Sequence, residues 1–170
     1  MKIISGGQTG VDRAALDVAI ERAMDWGGWC PKGGWSEDLP GPPGLLAKYP
    51  RLKETPLPNP LQRTEWNVRD SDAALIITDA EGIAVSIGTQ RAHSWARKHG
   101  KPELVVDAND AHAAERAAAW LEAQRKRFGP HMTLSIGGPR ETEAAGIYER
   151  AKVLIVAILD RVSPIPSPPR

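Results

Sequence analysis

Lys2-Ile3-Ile4-Ser5-Gly6-Gly7-Gln8-Thr9-Gly10-Val11-Asp12-Arg13 opens the chain with a short apolar run, a glycine-rich turn and the start of an amphipathic stretch. A β-branched run predicts a strand, and the glycines that close it allow backbone N–H groups to converge where a helix begins. The first turn of a helix has unsatisfied N–H donors and a partial positive charge, so Gly6-Gly7-Gln8-Thr9-Gly10 predicts a cradle for an oxyanion. The same residues also fit a tight strand-to-helix turn with Thr9 as cap and Asp12 closing a capping-box-like exchange. The two readings are compatible.

Beyond this unit, short apolar runs keep alternating with helical periods, which predicts an α/β domain: a Rossmann-like three-layer arrangement with a mostly parallel five-stranded sheet and helices on both faces. The first helix is expected from Val11 to about Asp25, with Ala15, Val18, Ala19 and Arg22 along one face. Trp29-Cys30 reads as a short second strand. Residues 31–58 are crowded with Gly and Pro and read as a long irregular flap, ordered by Trp29, Trp35 and Tyr49. Asn59-Pro60-Leu61-Gln62 is a helix start, with a capping residue, proline at the first helical position and Gln three beyond the cap. That helix is expected to run to Asp70 or Ser71.

Ala73 to Thr78 is continuously apolar, as in a strand buried on both faces. A loop from Asp79 to Ile87 leads to a glycine turn at Gly88-Thr89 and a helix ending at Gly100, then a strand from Glu103 to Val106. Asn109 or Asp110 is expected to open an alanine-rich helix that reaches Arg125-Lys126-Arg127 and stops at Gly129-Pro130. Thr133 to Ile136 gives the fifth strand, Gly137-Gly138-Pro139-Arg140 repeats the strand-to-glycine turn, and the last helix runs from Ile147 to about Val162. One domain therefore covers residues 1–162, and residues 163–170 read as a flexible proline-rich tail. In such sheets ligands bind beyond the carboxyl ends of the strands where strand order reverses. With a common strand order, the strand at Glu103 to Val106 would lie beside the first.

Charge narrows the partners. The net charge is +1, which argues against nucleic acid or a membrane surface, since both need a clustered basic face, while small anions remain open. The single cysteine, Cys30, the absence of a basic-then-apolar leader and the lack of a run of about 20 apolar residues lead us to expect a reducing cytoplasm. Val11-Asp12-Arg13 stands where a P-loop needs Lys-Ser/Thr, and the dinucleotide GxGxxG is incomplete. His93, His99, His112 and His131 have no short metal-ligand spacing, so no metal site is expected, and no catalytic nucleophile is marked by a motif.

The residues Ser5 to Asp17, Gly28-Trp29-Cys30-Pro31-Lys32-Gly33, Gln62 to Ala73 and Gly138-Pro139-Arg140-Glu141 resemble the molybdenum-cofactor carrier family over most of the chain. That family belongs to the Rossmann-like superfamily that also holds the LOG-type (lysine-decarboxylase-like) phosphoribohydrolases and DNA-processing protein A. The resemblance implies a binding protein rather than an enzyme. Its cargo would be molybdopterin, a pterin with a terminal phosphate and a molybdenum oxo group, held by a homo-oligomer, dimer or tetramer. The residues expected to hold that cargo are Gly6, Gly7, Gln8, Thr9, Gly10, Arg13, Lys32, Gly33, Arg63, Asn67, Gly88, Thr89, Gly138 and Arg140. Arg63 and Asn67 share a helix face at four-residue spacing; ordinary pairing of Arg63 with Glu65 or Asp70 is the competing expectation. Two alternatives stay open: a nucleotide-sensing module and a nucleoside-monophosphate phosphoribohydrolase. The hydrolase relatives carry a glutamate after a Gly-Gly-x-Gly-Thr turn, whereas Ile87-Gly88-Thr89-Gln90-Arg91-Ala92 has no carboxylate there.

Overall fold

The computed structural model describes residues 1–162; the proline-rich tail expected at 163–170 lies outside the described residues. Six strands form one sheet: β1 (Lys2–Ile4), β2 (Asp25–Cys30), β3 (Leu52–Glu54), β4 (Ala73–Thr78), β5 (Glu103–Asp107) and β6 (Thr133–Gly137). Every pairing is parallel, and the order is β3-β2-β1-β6-β4-β5. The expectation of five strands is corrected by β3, which lies inside the flap segment and pairs Leu52 with Gly28 and Glu54 with Cys30. The second strand also begins earlier than Trp29. The chain leaves the first helix at Glu21, turns through a left-handed Ala23, and enters β2 at Asp25.

The helices are α1 (Val11–Glu21), the short α2 (Leu45–Lys48), α3 (Pro60–Arg69), α4 (Ile87–Lys98), α5 (Ala113–Phe128) and α6 (Ile147–Arg161). Helices α1, α5 and α6 pack on one face of the sheet and α3 and α4 on the other. Leu75 and Ile77 of β4 join Leu134, Ile136, Val18 and Leu154 in the larger core, while Ala74 and Ile76 face Val68, Ala92 and Ala96. All six residues of β4 are buried, which accounts for its unbroken apolar sequence. A third cluster, Leu16, Cys30, Leu45, Tyr49 and Leu52, seats the flap on α1. None of the helices is long and apolar enough to cross a membrane, among the described residues.

Helix ends show where local chemistry prevails. Asn59 caps α3 as expected, its side chain accepting the Leu61 N–H at 2.9 Å. The cap expected from Thr9 is not made: Gly10 occupies that position with φ 77°, and no side chain bonds there. Asp12 reaches back one residue further than the exchange with Thr9 requires, accepting the Gln8 N–H, and it also accepts from Arg63. Gly88-Thr89 is not a turn before a helix but the first turn of α4, capped by Ser86, whose Oγ accepts the Thr89 N–H at 3.0 Å. Helix α5 begins at Ala113, later than Asn109 or Asp110, because the Asp110 carboxylate accepts the His112 N–H and holds that stretch as a turn.

Strand order carries the second correction. The neighbours of β1 are β2 and β6, not the strand at Glu103 to Val106, because the last strand inserts between β1 and β4. From β1 the chain steps outward to β2 in one direction, and from β4 to β5 in the other. Right-handed crossovers then require α1 and α4 to lie on opposite faces, as they do. The carboxyl ends of β1, β6 and β4 thus stand side by side at the point where the winding reverses.

Candidate functional site

Between that central part of the sheet and helices α3 and α4 lies a cavity of about 320 Å³. Its floor is made by Ser5 and Gly6 after β1, Ser135 to Gly137 of β6 and Ala74 to Ile76 of β4. Ser135 and Gly137 put small residues on the β6 part of that floor. Pro60, Leu61, Arg63, Thr64, Asn67 and Val68 of α3 form one wall; Ser86, Ile87, Gly88 and Ala92 form the other. The β6–α6 connection closes one end with Gly138, Arg140 and Glu143.

The deepest charge is Asp12, only 4 % exposed, and its Oδ2 accepts from Arg63 Nη1 at 2.7 Å. The amides of Gln8 and Gly138 donate to the same carboxylate. Burial nevertheless outweighs these partners and raises the Asp12 pKa above the ordinary carboxylate value. Arg63 lies across the end of β1, and a Cβ on Gly6 would overlap its guanidinium, so a side chain there would displace the ion pair. Gly138 is constrained differently: a Cβ would run into the carbonyl oxygen of Ile77, so only glycine lets β6 leave the sheet beside β4. Arg140 reaches from the cavity to Trp35, with its guanidinium carbon 5.5 Å from the indole centroid and Nη1 3.9 Å from Glu37 Oε2.

Of the residues expected at the site, Gly6, Arg63, Asn67, Gly88, Gly138 and Arg140 line the cavity. Asn67 does so with its amide already engaged, accepting from Trp29 N and donating to Trp29 O, both at 2.9 Å, which ties α3 to β2. The other expected residues lie in its frame. The Gln8 amide is used on Asp12, and its side-chain oxygen accepts the N–H groups of Thr9 and Glu37. The Thr9 hydroxyl donates to Glu37, and Gly10 packs against the backbone of Pro139 to Glu141. Gly7 faces Leu45 and Leu52 of the flap. Arg13 braces the flap, with Asp38 at 2.7 and 2.9 Å and the Gly7 carbonyl at 3.1 Å. Thr89 is buried beside Ser86 within the cap of α4. Lys32 and Gly33 line a separate recess with Trp35. Arg63 pairs with neither Glu65 nor Asp70, because Asp12, 51 residues away in sequence, is the carboxylate it reaches.

Sequence reasoning did not single out Asp12 or Glu143 for the cavity. Asp12 resembled a local helix cap, and Glu143, which accepts the Arg140 N–H at 2.8 Å, carries no motif. The assembled site offers two guanidinium groups, the amino end of α4 and two carboxylates around one concavity. The guanidinium groups and the helix amides are donors that suit a phosphate or oxyanion. Among the described residues, no group of three or more His, Cys, Asp or Glu could hold a metal ion.

Residues 3–159 match the family described as "Circularly permutated YpsA SLOG family" (cpYpsA). The crystal structure of a protein from Syntrophus aciditrophicus SB, described as a "putative molybdenum carrier protein", is 36 % identical, covers 93 % of this chain and 94 % of its own, and has a TM-score of 0.78. No curated protein matches the chain. The permutation is visible in the strand order: placing β6 ahead of β1 turns it into a doubly wound sheet whose first strand sits at the reversal point. Match, likeness and topology agree, and the chain belongs to the circularly permutated YpsA SLOG family.

Proposed function

We propose that the protein binds and carries a phosphorylated small molecule, with the molybdenum cofactor as its cargo. The observation that carries this reading is the cavity of about 320 Å³ in which Arg63, Arg140 and the amino end of α4 converge. A charge-assisted hydrogen bond contributes about 1.5 to 3 kcal/mol, so four of them supply about 6 to 12 kcal/mol before ordering costs, the scale on which micromolar affinity is about 8 kcal/mol. In this reading Arg140 and the Ile87 and Gly88 amides hold the phosphate, Arg63 adds its outward N–H groups, and Gly6 and Gly138 leave room for the guest. Gly7, Gln8, Thr9, Gly10, Arg13 and Thr89 frame the site, and Lys32 and Gly33 extend it. The solved relative described as a molybdenum carrier favours the same cargo. We further propose a cytoplasmic homo-oligomer that takes a small ligand, not nucleic acid.

A nucleotide phosphoribohydrolase is the second reading, favoured by one observation. Glu143 and Asp12 bring carboxylates to the cavity from positions outside the Thr89 turn. Release of adenine from AMP tests it directly. For the carrier, mass spectrometry with elemental analysis on ligand released from the purified protein is decisive. Pterin together with molybdenum is the expected result; a nucleotide without molybdenum would move the assignment to nucleotide binding.

A further inference from the structure

Resting on the binding of a phosphorylated ligand proposed above, we infer that a recess beside Trp35 seats a flat aromatic heterocycle belonging to the same ligand, so that the substrate class is a phosphate ester of a planar ring system. The recess has a volume of about 450 Å³ and is walled by Trp35, Pro40, Pro42, Pro58 and Pro60, with Lys32 at its lip. It lies next to the main cavity. Pro60 lines both, and Arg140, which lines the cavity, lies over the Trp35 ring at 5.5 Å. An anion held by Arg140 therefore has its organic remainder beside an indole.

The walls are stiff before any ligand arrives. Proline fixes its own φ and has little side-chain freedom to lose. The residues after Trp35 are pinned: Ser36 donates to Asp38, Asp38 accepts from Arg13, and the Glu37 N–H donates to Gln8. An apolar aromatic and proline surface with cations at its edge matches a flat π-system attached to an anion, since aromatic stacking is tolerant of ring identity while the cations read the charge. Purine and pterin share that chemistry.

Calorimetry on the full chain separates the possibilities, with ribose 5-phosphate as the probe that lacks an aromatic ring and AMP and a pterin phosphate ester as probes that carry one. The expected result is that at least one ring-bearing ester binds at least about tenfold tighter than ribose 5-phosphate, about 1.4 kcal/mol. Trp35→Leu should erase that preference and leave ribose 5-phosphate affinity unchanged, with an unchanged dichroism spectrum. Which ester prevails distinguishes pterin from nucleotide. A preference that survives in Trp35→Leu would put the ring elsewhere and overturn the inference. Equal loss for both probe types would also overturn it, because Trp35 would then only steady Arg140. Ribose 5-phosphate binding without any gain from a ring refutes this inference alone, whereas failure of every ester to bind refutes the carrier reading as well.

Discussion

Replacing Asp12 by alanine removes the partner of a guanidinium that is itself 12 % exposed. Deleting one member of a buried ion pair costs about 3 to 5 kcal/mol, because the other charge stays behind uncompensated. Arg63 borders a cavity that water can enter, so the lower end applies, about 3 kcal/mol. For a chain of this size that lowers the melting temperature by roughly 6 to 12 °C, at about 2 to 4 °C per kcal/mol. Thermal dichroism and urea unfolding measure it, with the urea slope unchanged if only stability has moved. The double variant Asp12→Leu with Arg63→Met should recover most of the loss, since an apolar pair of similar volume needs no desolvated charge.

The pH dependence has its own sign. Burial raises the folded-state pKa of Asp12 above its ordinary 3.8, so the stability gained by protonating it is fully present below 3.8 and is lost as pH rises through the folded value, above which the ionised carboxylate compensates Arg63. Asp12→Asn, which mimics the protonated acid, should lack that slope. If Asp12→Ala melts within a degree of the parent, or if the double variant is worse than the single, the buried pair is not holding Arg63 and the reasoning fails.

Arg140→Met should weaken phosphate-ester binding by about ten- to hundredfold with little change in melting, the loss of one charge-assisted hydrogen bond, measured by calorimetry. Asn59→Ala removes the α3 cap and should cost about 1 kcal/mol in urea unfolding. Cys30 is fully buried, and desolvation first, with Glu54 second, pushes its thiol up to about 11. A thiol reagent at neutral pH should therefore label it only after denaturation; rapid labelling of folded protein would contradict its placement. Hydrogen bonding from Arg13 is the largest cause holding Asp38 well below 3.8. The stabilisation from Asp38 is present above that ordinary value and lost as pH falls through its depressed one, so acid should expose the flap to protease before the sheet unfolds.

Elements set by local pattern were legible in the sequence. The run at Ala73 to Thr78 could only be a buried strand, and Asn59-Pro60 carries a helix start in its own chemistry. What escaped depended on distant partners. Asp25-Trp26-Gly27-Gly28 lacks strand periodicity and becomes β2 because β1 and β3 flank it. Leu52-Lys53-Glu54 is three residues long and is a strand through its pairing alone. The cavity's glycines and Arg140 were readable as a turn motif, but the pairing of Asp12 with Arg63 was not, since it spans 51 residues.

The insertion of β6 between β1 and β4 makes one sheet depend on the last strand in the chain. Without residues 133–137 the strands can pair only as two half-sheets, β3-β2-β1 and β4-β5, each with an unpaired hydrogen-bonding edge where β6 belongs. Neither half can complete the ligand chamber, whose floor is made from both and from β6 itself. A chain truncated ahead of β6 should therefore lack the receptacle and expose edges that invite aggregation.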